Sequence, residues 1–377
     1  MNLEQTLDKK LEEMRRPLTT ATPEGKIIPI EPKKKVHLTW GRELESMIIP
    51  EIRWIVPDLL PVGLSMLAAP SKYFKSYLSL DLCASVAAGG RFLGRQTVQS
   101  FSLYADLEST ERRPQARLRQ ILGGEPFPEG IAFLTANDLP DLGTLGSGFE
   151  DSLLSILDSC PEMRLVVIDV FQLIRAKRRG KGDPYAMDYD EMRSLKKIAD
   201  ERDISLLLIH HLRKMQDSDP FNMLSGSVGI MGALDCAWVI TKEDRFSDEA
   251  KLSITGRDLE SRELSIRWNK KAFRWELLGD AAQIEAERQE RDFRNNSIVK
   301  TVVLLVRQNN GEWKGTIKEL INASEWPEKG KYRIYENPRA VGQYLKTHAP
   351  EFLHYEGIFY GSKKTEEGYQ YTIKQRA

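Results

Sequence analysis

One short stretch limits the folds open to this chain more than any other. The apolar run Gly63-Leu64-Ser65-Met66-Leu67-Ala68 leads into Ala69-Pro70-Ser71-Lys72-Tyr73-Phe74-Lys75-Ser76 and then Tyr77-Leu78-Ser79-Leu80-Asp81-Leu82, which reads as strand, tight turn, helix. The turn has the layout of a phosphate-binding loop, GxxxxGK[ST]. In that pattern backbone N–H groups wrap the phosphates, the lysine reaches the β/γ oxygens and the hydroxyl binds Mg²⁺. Lys75 and Ser76 supply the last two parts, and Ala69 and Phe74 stand where the two glycines belong. A non-glycine in the left-handed region costs about 1–2 kcal/mol. Phe74 is therefore expected to keep a right-handed helical backbone, with its ring turned from the phosphates into the sheet–helix interface.

From about residue 45 to 278, β-rich apolar runs alternate with amphipathic stretches. The strands expected are Leu64–Ala68, Ser102–Asp106, Ile131–Leu134, Leu165–Asp169, Ser205–His210, Ala237–Thr241, Lys251–Thr255 and Glu263–Trp268. Alternation of this kind predicts an α/β domain around a mainly parallel sheet, assigned to residues 36–278. The 377 residues suffice for more than one domain. Residues 1–35, charged, proline-rich and ending in Pro32-Lys33-Lys34-Lys35, read as a flexible arm with a short helix. Residues 279–296 are dense in Glu, Arg and Gln and read as a solvated helical linker. Residues 297–377 suit three helices, Ile298–Gln308, Thr316–Ala323 and Pro338–Thr347. Two strands follow, Gly357–Tyr360 and Tyr369–Ile373, around Gly361-Ser362-Lys363-Lys364.

The 55 basic and 55 acidic residues cancel, so any affinity for nucleic acid must come from local clusters. Cys83, Cys160 and Cys236 are widely separated, show no zinc spacing and suit buried thiols in a reducing cytosol. The start of the chain is polar, and no apolar stretch approaches the roughly 18 residues of a membrane span. A cytoplasmic protein is expected, with no membrane partner.

Two further strands end in acids. Arg164-Leu165-Val166-Val167-Ile168-Asp169 has the form of a Walker B element, whose Asp holds the Mg²⁺ water shell. Phe101-Ser102-Leu103-Tyr104-Ala105-Asp106-Leu107-Glu108 lies between it and the loop in sequence. In an open α/β sheet the carboxyl ends of such strands share one edge, where Lys75, Glu108 and Asp169 can converge on a nucleotide.

With these elements in place, residues 47–275 resemble the RepA-like branch of the RecA/DnaB-type hexameric helicases. The likeness includes the lead-in Trp54-Ile55-Val56-Pro57-Asp58-Leu59-Leu60-Pro61-Val62-Gly63-Leu64, the segment Ala87-Ala88-Gly89-Gly90-Arg91-Phe92-Leu93-Gly94 and Tyr185-Ala186-Met187-Asp188-Tyr189. The resemblance implies a RecA-like P-loop ATPase domain that uses ATP and Mg²⁺. Its nucleotide site would be formed by Ala69, Pro70, Ser71, Lys72, Tyr73, Phe74, Lys75, Ser76 and Asp169, with Mg²⁺ on Ser76 and Asp169. It implies that Glu108 is the general base for the hydrolytic water. In Leu206-Leu207-Leu208-Ile209-His210-His211-Leu212-Arg213-Lys214, His211 takes the position that senses the γ-phosphate, with Lys214 nearby. The alternative is a histidine pair with one ring packed in the core and the other capping a loop.

The resemblance also implies that Ser225, Gly226 and Ser227 belong to a mobile loop facing the channel of a ring; otherwise they form an ordinary turn. Arg257 takes the place of an arginine finger that reaches the neighbouring subunit's nucleotide, the alternative being a surface pair with Asp258 or Glu260. The basic loop containing Lys177, Arg178, Arg179 and Lys181 suits DNA phosphates, or is simply solvated.

The last segment resembles the winged-helix modules of mobile-element replication proteins. That arrangement would present Arg339, Gln343 and Lys346 to a DNA groove and Lys363 and Lys364, at the wing tip, to phosphates. A protein-docking module of the same shape is the alternative. The combined expectation is a homo-hexameric, ATP-dependent helicase or translocase on single-stranded DNA, serving a plasmid, phage or integrative element with an initiation or primase partner. Its rival is a non-motor accessory protein of the same fold, with little turnover because Ala69 and Phe74 replace glycines.

Overall fold

The computed structural model describes residues 19–21, 27–29, 38–48, 51–176, 184–213, 217–224, 228–323, 337–365 and 368–376. The chain divides into a unit of residues 1–51 and a unit of residues 52–377. In the first unit β1 (Thr19–Ala21) and β2 (Ile27–Pro29) pair antiparallel, and a helix spans Gly41–Ser46. The described part of the expected arm is thus a strand pair, in keeping with its β-branched Thr19, Thr20, Ile27 and Ile28.

The second unit opens with two small antiparallel pairs that flank the main sheet's first strand. These are β3 (Trp54–Val56) with β4 (Leu60–Pro61), and β6 (Arg91–Phe92) with β7 (Arg95–Gln96). The main sheet has nine strands. In chain order they are β5 (Gly63–Ala69), β8 (Phe101–Asp106), β9 (Ile131–Thr135), β10 (Met163–Asp169), β11 (Ser205–His211), β12 (Cys236–Thr241), β13 (Glu249–Gly256), β14 (Arg262–Asn269) and β15 (Arg274–Asp280). Across the sheet they run β15-β14-β13-β12-β5-β11-β10-β8-β9. The strands from β12 to β9 are parallel, and β13, β14 and β15 extend the sheet as an antiparallel meander. The fold is α/β on a mainly parallel sheet. β5 lies inside it and is buried at every residue, which accounts for its continuous rather than alternating apolar run.

Side chains of a strand alternate between faces, so the sheet carries two cores. Leu67, Leu207, Val167 and Tyr104 pack on one side with the helix Lys75–Ala88. Met66, Leu208, Val166 and Leu103 pack on the other with the helices Phe149–Ser159 and Pro184–Arg202. At the start of β5, Gly63 has φ 119°, and a Cβ there would meet Asp235 Oδ2 at 2.4 Å, so only glycine fits. All eight expected strands are present. The ninth, β15, was not anticipated, because Arg274-Trp275-Glu276 follows a four-residue turn and the domain's end had been set at residue 278. Cys83 and Cys236 are buried as expected; Cys160 is half-buried.

After β15 the helix Ala281–Asn295 is capped by Asp280, whose carboxylate accepts from the N–H groups of Ala282 and Gln283. The terminal segment follows as helix Ser297–Gln308, β16 (Glu312–Gly315), helices Ile317–Ala323, Pro338–Thr347 and Ala349–Glu356, β17 (Ile358–Thr365) and β18 (Gly368–Gln375). Its sheet runs β16-β18-β17, antiparallel throughout. Its core is Ile298, Val302, Leu305, Leu320, Val341, Leu345, Phe352 and Ile373, with Phe293 from the preceding helix. One expectation is corrected here. Gly361, Ser362, Lys363 and Lys364 are not a turn but lie within β17, paired with Thr372, Tyr371, Gln370 and Tyr369. Among the described residues no helix is long and apolar enough to cross a membrane.

Candidate nucleotide site

Parallel register brings the carboxyl ends of four strands to one edge. Ala69 pairs with His211, Ile168 with Leu208, and Asp169 with Asp106. By the same alternation Tyr104, Asp106, Asp169 and His211 point to the face on which the Lys75–Ala88 helix packs. Lys75 is that helix's first residue. Buried, it donates to the carbonyls of Ala69 at 2.8 Å and Pro70 at 3.1 Å, and its Nζ lies 3.4 Å from His211 Nδ1. An ammonium only donates, so the imidazole accepts and all three protons of Lys75 are engaged.

Burial lowers the pKa of Lys75 to about 8, against the pull of Asp169 and then Glu108. Burial, and next the charge of Lys75, also push His211 below its usual value, so its ring is neutral at pH 7. Lys75, His211, Glu108 and Asp169 thus share one electrostatic environment. The neighbouring His210 is buried and sets its ring edge-on to Phe171 at 5.7 Å. The pair splits its duties, one ring in the core and the other at the loop.

Asp169 is buried, and its Oδ2 accepts from the Tyr104 hydroxyl at 2.7 Å. Burial, reinforced by Asp169, raises the phenol's pKa well above its usual value, so it stays a donor. Asp106 is buried alongside, with Arg117 at 3.6 Å, and burial raises its pKa. The Leu107 N–H donates to the Asp169 carbonyl at 2.7 Å, which ties the segment bearing the exposed Glu108 to the end of β10. Sequence reasoning missed Tyr104 and Asp106. The signal was there in two polar groups at i and i+2 near the end of an otherwise apolar strand.

Phe74 departs from expectation. Its backbone is left-handed, φ 54° and ψ 30°, the conformation a glycine would supply, and Lys72 is left-handed as well, with φ 70°. The Phe74 ring lies flat on Trp268, centroids 4.2 Å apart and planes 2° from parallel. Lys242 Nζ sits 5.3 Å from the Tyr73 and Trp275 rings and 5.8 Å from that of Phe74. A stacked pair contributes about 0.5–1.5 kcal/mol beyond its buried area, enough to offset most of the about 1–2 kcal/mol that a left-handed non-glycine costs.

Arg257 is at the opposite edge of the sheet. Its N–H donates to the Asp235 carbonyl at 2.9 Å, the Asp235 N–H donates to Leu64 O at 2.8 Å, and its Nη2 donates to the Gly232 carbonyl at 2.6 Å. Its carboxylate neighbour is Asp235 at 3.9 Å, not Asp258 or Glu260. Level with Leu64, it stands about 17 Å of strand from Ala69 of its own loop. Lys177, Arg178, Arg179, Lys181, Lys214, Ser225, Gly226 and Ser227 lie outside the described residues. On the helix Pro338–Thr347, Arg339, Gln343 and Lys346 are exposed opposite buried Val341 and Leu345. Lys363 and Lys364 are exposed, whereas Tyr344, Tyr360 and Tyr371 pack against the terminal core.

Ser76 and Asp169 offer a hydroxyl and a carboxylate, the oxygen donors that suit Mg²⁺. Tyr104 links them, its hydroxyl 3.5 Å from the Ser76 carbonyl and 2.7 Å from Asp169. Among the described residues no group of three or more His, Cys, Asp or Glu could hold a metal on its own. Mg²⁺ characteristically takes one or two protein ligands together with substrate phosphates, so the donor set fits.

The class that fold and loop define is an α/β domain with a P-loop on an interior strand of a mainly parallel sheet. Residues 31–217, just short of half the chain, match the family profile described as AAA domain. Among solved structures the chain is similar to a DnaB-like replicative helicase described with its interactions with primase. The identity is 15%, the TM-score 0.47, and the match covers 62% of this chain and 64% of that one. It is also similar to an isolated ATPase domain, at 15% identity and TM-score 0.46, over 74% of this chain and 99% of that one. The chain thus spans 64% of the length of the first. No curated protein matches it.

Proposed function

We propose that this protein is an ATP-dependent, ring-forming translocase or helicase on single-stranded DNA, of the RepA-like replicative type, serving a plasmid, phage or integrative element. The observation that carries the reading is the shared environment of Lys75, His211, Glu108 and Asp169 at one sheet edge, with Arg257 at the other. The ammonium of Lys75 exchanges its loop carbonyls for phosphate oxygens. Ser76 and Asp169 hold Mg²⁺, which when bound neutralises phosphate charge. Glu108, exposed beyond the strand end, takes the proton of the attacking water. Neutral His211, in contact with Lys75, registers loss of the γ-phosphate through that lysine.

Arg257, too far from its own loop, completes the site of the next subunit, which makes a closed ring, read as a hexamer, the working form. The terminal segment serves as a winged helix that holds DNA through Arg339, Gln343, Lys346, Lys363 and Lys364, and a primase or initiation protein is the partner. The test is ATP hydrolysis by the full chain with and without single-stranded DNA, together with its mass in solution. DNA-stimulated turnover by an oligomer supports the motor. One observation favours the non-motor alternative: the loop lysine's protons are all taken by the protein. Nucleotide binding without turnover would select it.

A further inference from the structure

A phosphate loop depends on a left-handed residue immediately before its lysine, since that turn aims the following N–H groups into the loop. Glycine adopts it freely; phenylalanine does not. In this chain the residue is Phe74, φ 54°, and what lies against its ring comes from the far end of the domain. Trp268, on β14 and 5% exposed, is stacked flat on it, and Trp275 of β15 sets its ring at 66° to it, 6.5 Å away. The platform is fixed in turn to the loop's own helix. Tyr77 packs edge-on to Trp268 at 5.2 Å, and Arg274 of β15 lies 3.1 Å from buried Asp81. The antiparallel meander therefore reaches back over the first turn of the Lys75–Ala88 helix and grips the loop at its most strained residue.

We propose that Trp268 is a positioning residue of the nucleotide site, doing by aromatic stacking what glycine does by having no side chain: it holds Phe74 left-handed and thereby keeps the loop open to phosphate. The inference rests on the nucleotide-binding reading above. It also makes β14–β15 a part of the site, so displacement of this hairpin would relax the loop.

The test is a double-mutant cycle read by calorimetric titration of the full chain with ATP and Mg²⁺, each variant first checked by a melting curve. Trp268→Leu is expected to weaken ATP binding about tenfold, the equivalent of the strain no longer held. Trp268→Phe, which keeps a ring for Phe74 to lie on, should recover most of the loss and covers the case in which the leucine variant fails to fold. Phe74→Gly should bind ATP at least as tightly as the natural chain, and adding Trp268→Leu to it should cost little. An equal loss from Trp268→Leu in both backgrounds, or no recovery with Trp268→Phe, overturns the inference while leaving the nucleotide reading intact. No ATP binding by the unaltered chain overturns that reading and the inference with it.

Discussion

Lys75 Nζ lies 3.4 Å from His211 Nδ1, with the carbonyls of Ala69 and Pro70 completing its shell. A buried ammonium is thus held by neutral acceptors, and its pKa of about 8 keeps it charged at neutral pH with little margin. Phosphate recognition requires that charge, so ATP affinity is expected to hold up to about pH 7.5 and fall as pH rises through 8. Lys75→Ala should abolish binding, whereas Glu108→Gln should bind ATP and fail to hydrolyse it, because charge compensation and water activation are separate tasks. Titrations across pH and steady-state turnover check both; binding that stays flat to pH 9.5 would mean that Lys75 is not the phosphate ligand.

Asp81 supplies a stability prediction. Burial raises its pKa from 3.8 to about 6, with Arg274 partly opposing the shift. Between about pH 4 and 6 the folded chain therefore keeps a proton that the unfolded chain has lost, so this carboxyl's contribution declines as pH rises through that window. The span is on the order of 2 kcal/mol. Asp81→Asn removes the titration, so its stability relative to the natural chain should climb from pH 4 to pH 7 and level off above. Denaturant melts at several pH values measure it, and a constant difference would assign the titration elsewhere.

What could be read in advance follows the locality of the signal. Lys75 and Ser76 are fixed by spacing within one turn, and Asp169 and Glu108 by their place after apolar runs, so all four were legible. Tyr104 was not, because its bond to Asp169 depends on the register of two strands 65 positions apart, in which Tyr104 sits opposite Val167. Phe74 was half legible. Its ring does leave the loop, but its left-handed backbone depends on Trp268, brought up by a meander whose last strand escaped notice. In the terminal segment three helices were plain from their periodicity. The fourth, Ala349–Glu356, is short and begins beside Pro350, and β16 is four residues long, too little pattern for either to register.

The placement of Arg257 makes a prediction about assembly. Since the residue stands at the sheet edge away from its own loop, activity should need two subunits in contact. Arg257→Ala and Lys75→Ala are each expected to lower turnover at least about 10³-fold, the scale of an arginine finger. Mixed before assembly, they should regain partial activity, because some interfaces then pair an intact finger with an intact loop. The mixing experiment with light scattering decides this, and a monomer with full activity would reduce Arg257 to a tie between Asp235 and Gly232.

The final prediction concerns the terminal segment, where Tyr344, Tyr360 and Tyr371 are engaged in the core and cannot serve as free stacking platforms. Contact with DNA must then come from charge: Arg339 and Lys346 on one helix face, Lys363 and Lys364 on β17. Binding through phosphates releases counterions, so affinity should fall steeply with salt, and each lost contact should reduce the slope by about one. In the full chain, Lys363→Glu with Lys364→Glu should weaken DNA binding at low salt and flatten its salt dependence by about two, while ATP binding, seated on the other module, stays as it was. Filter-binding isotherms at several salt concentrations give the slope. An unchanged slope would direct the search for the basic contacts to the loops around Lys181 and Ser227 and leave the terminal segment as a protein-docking module.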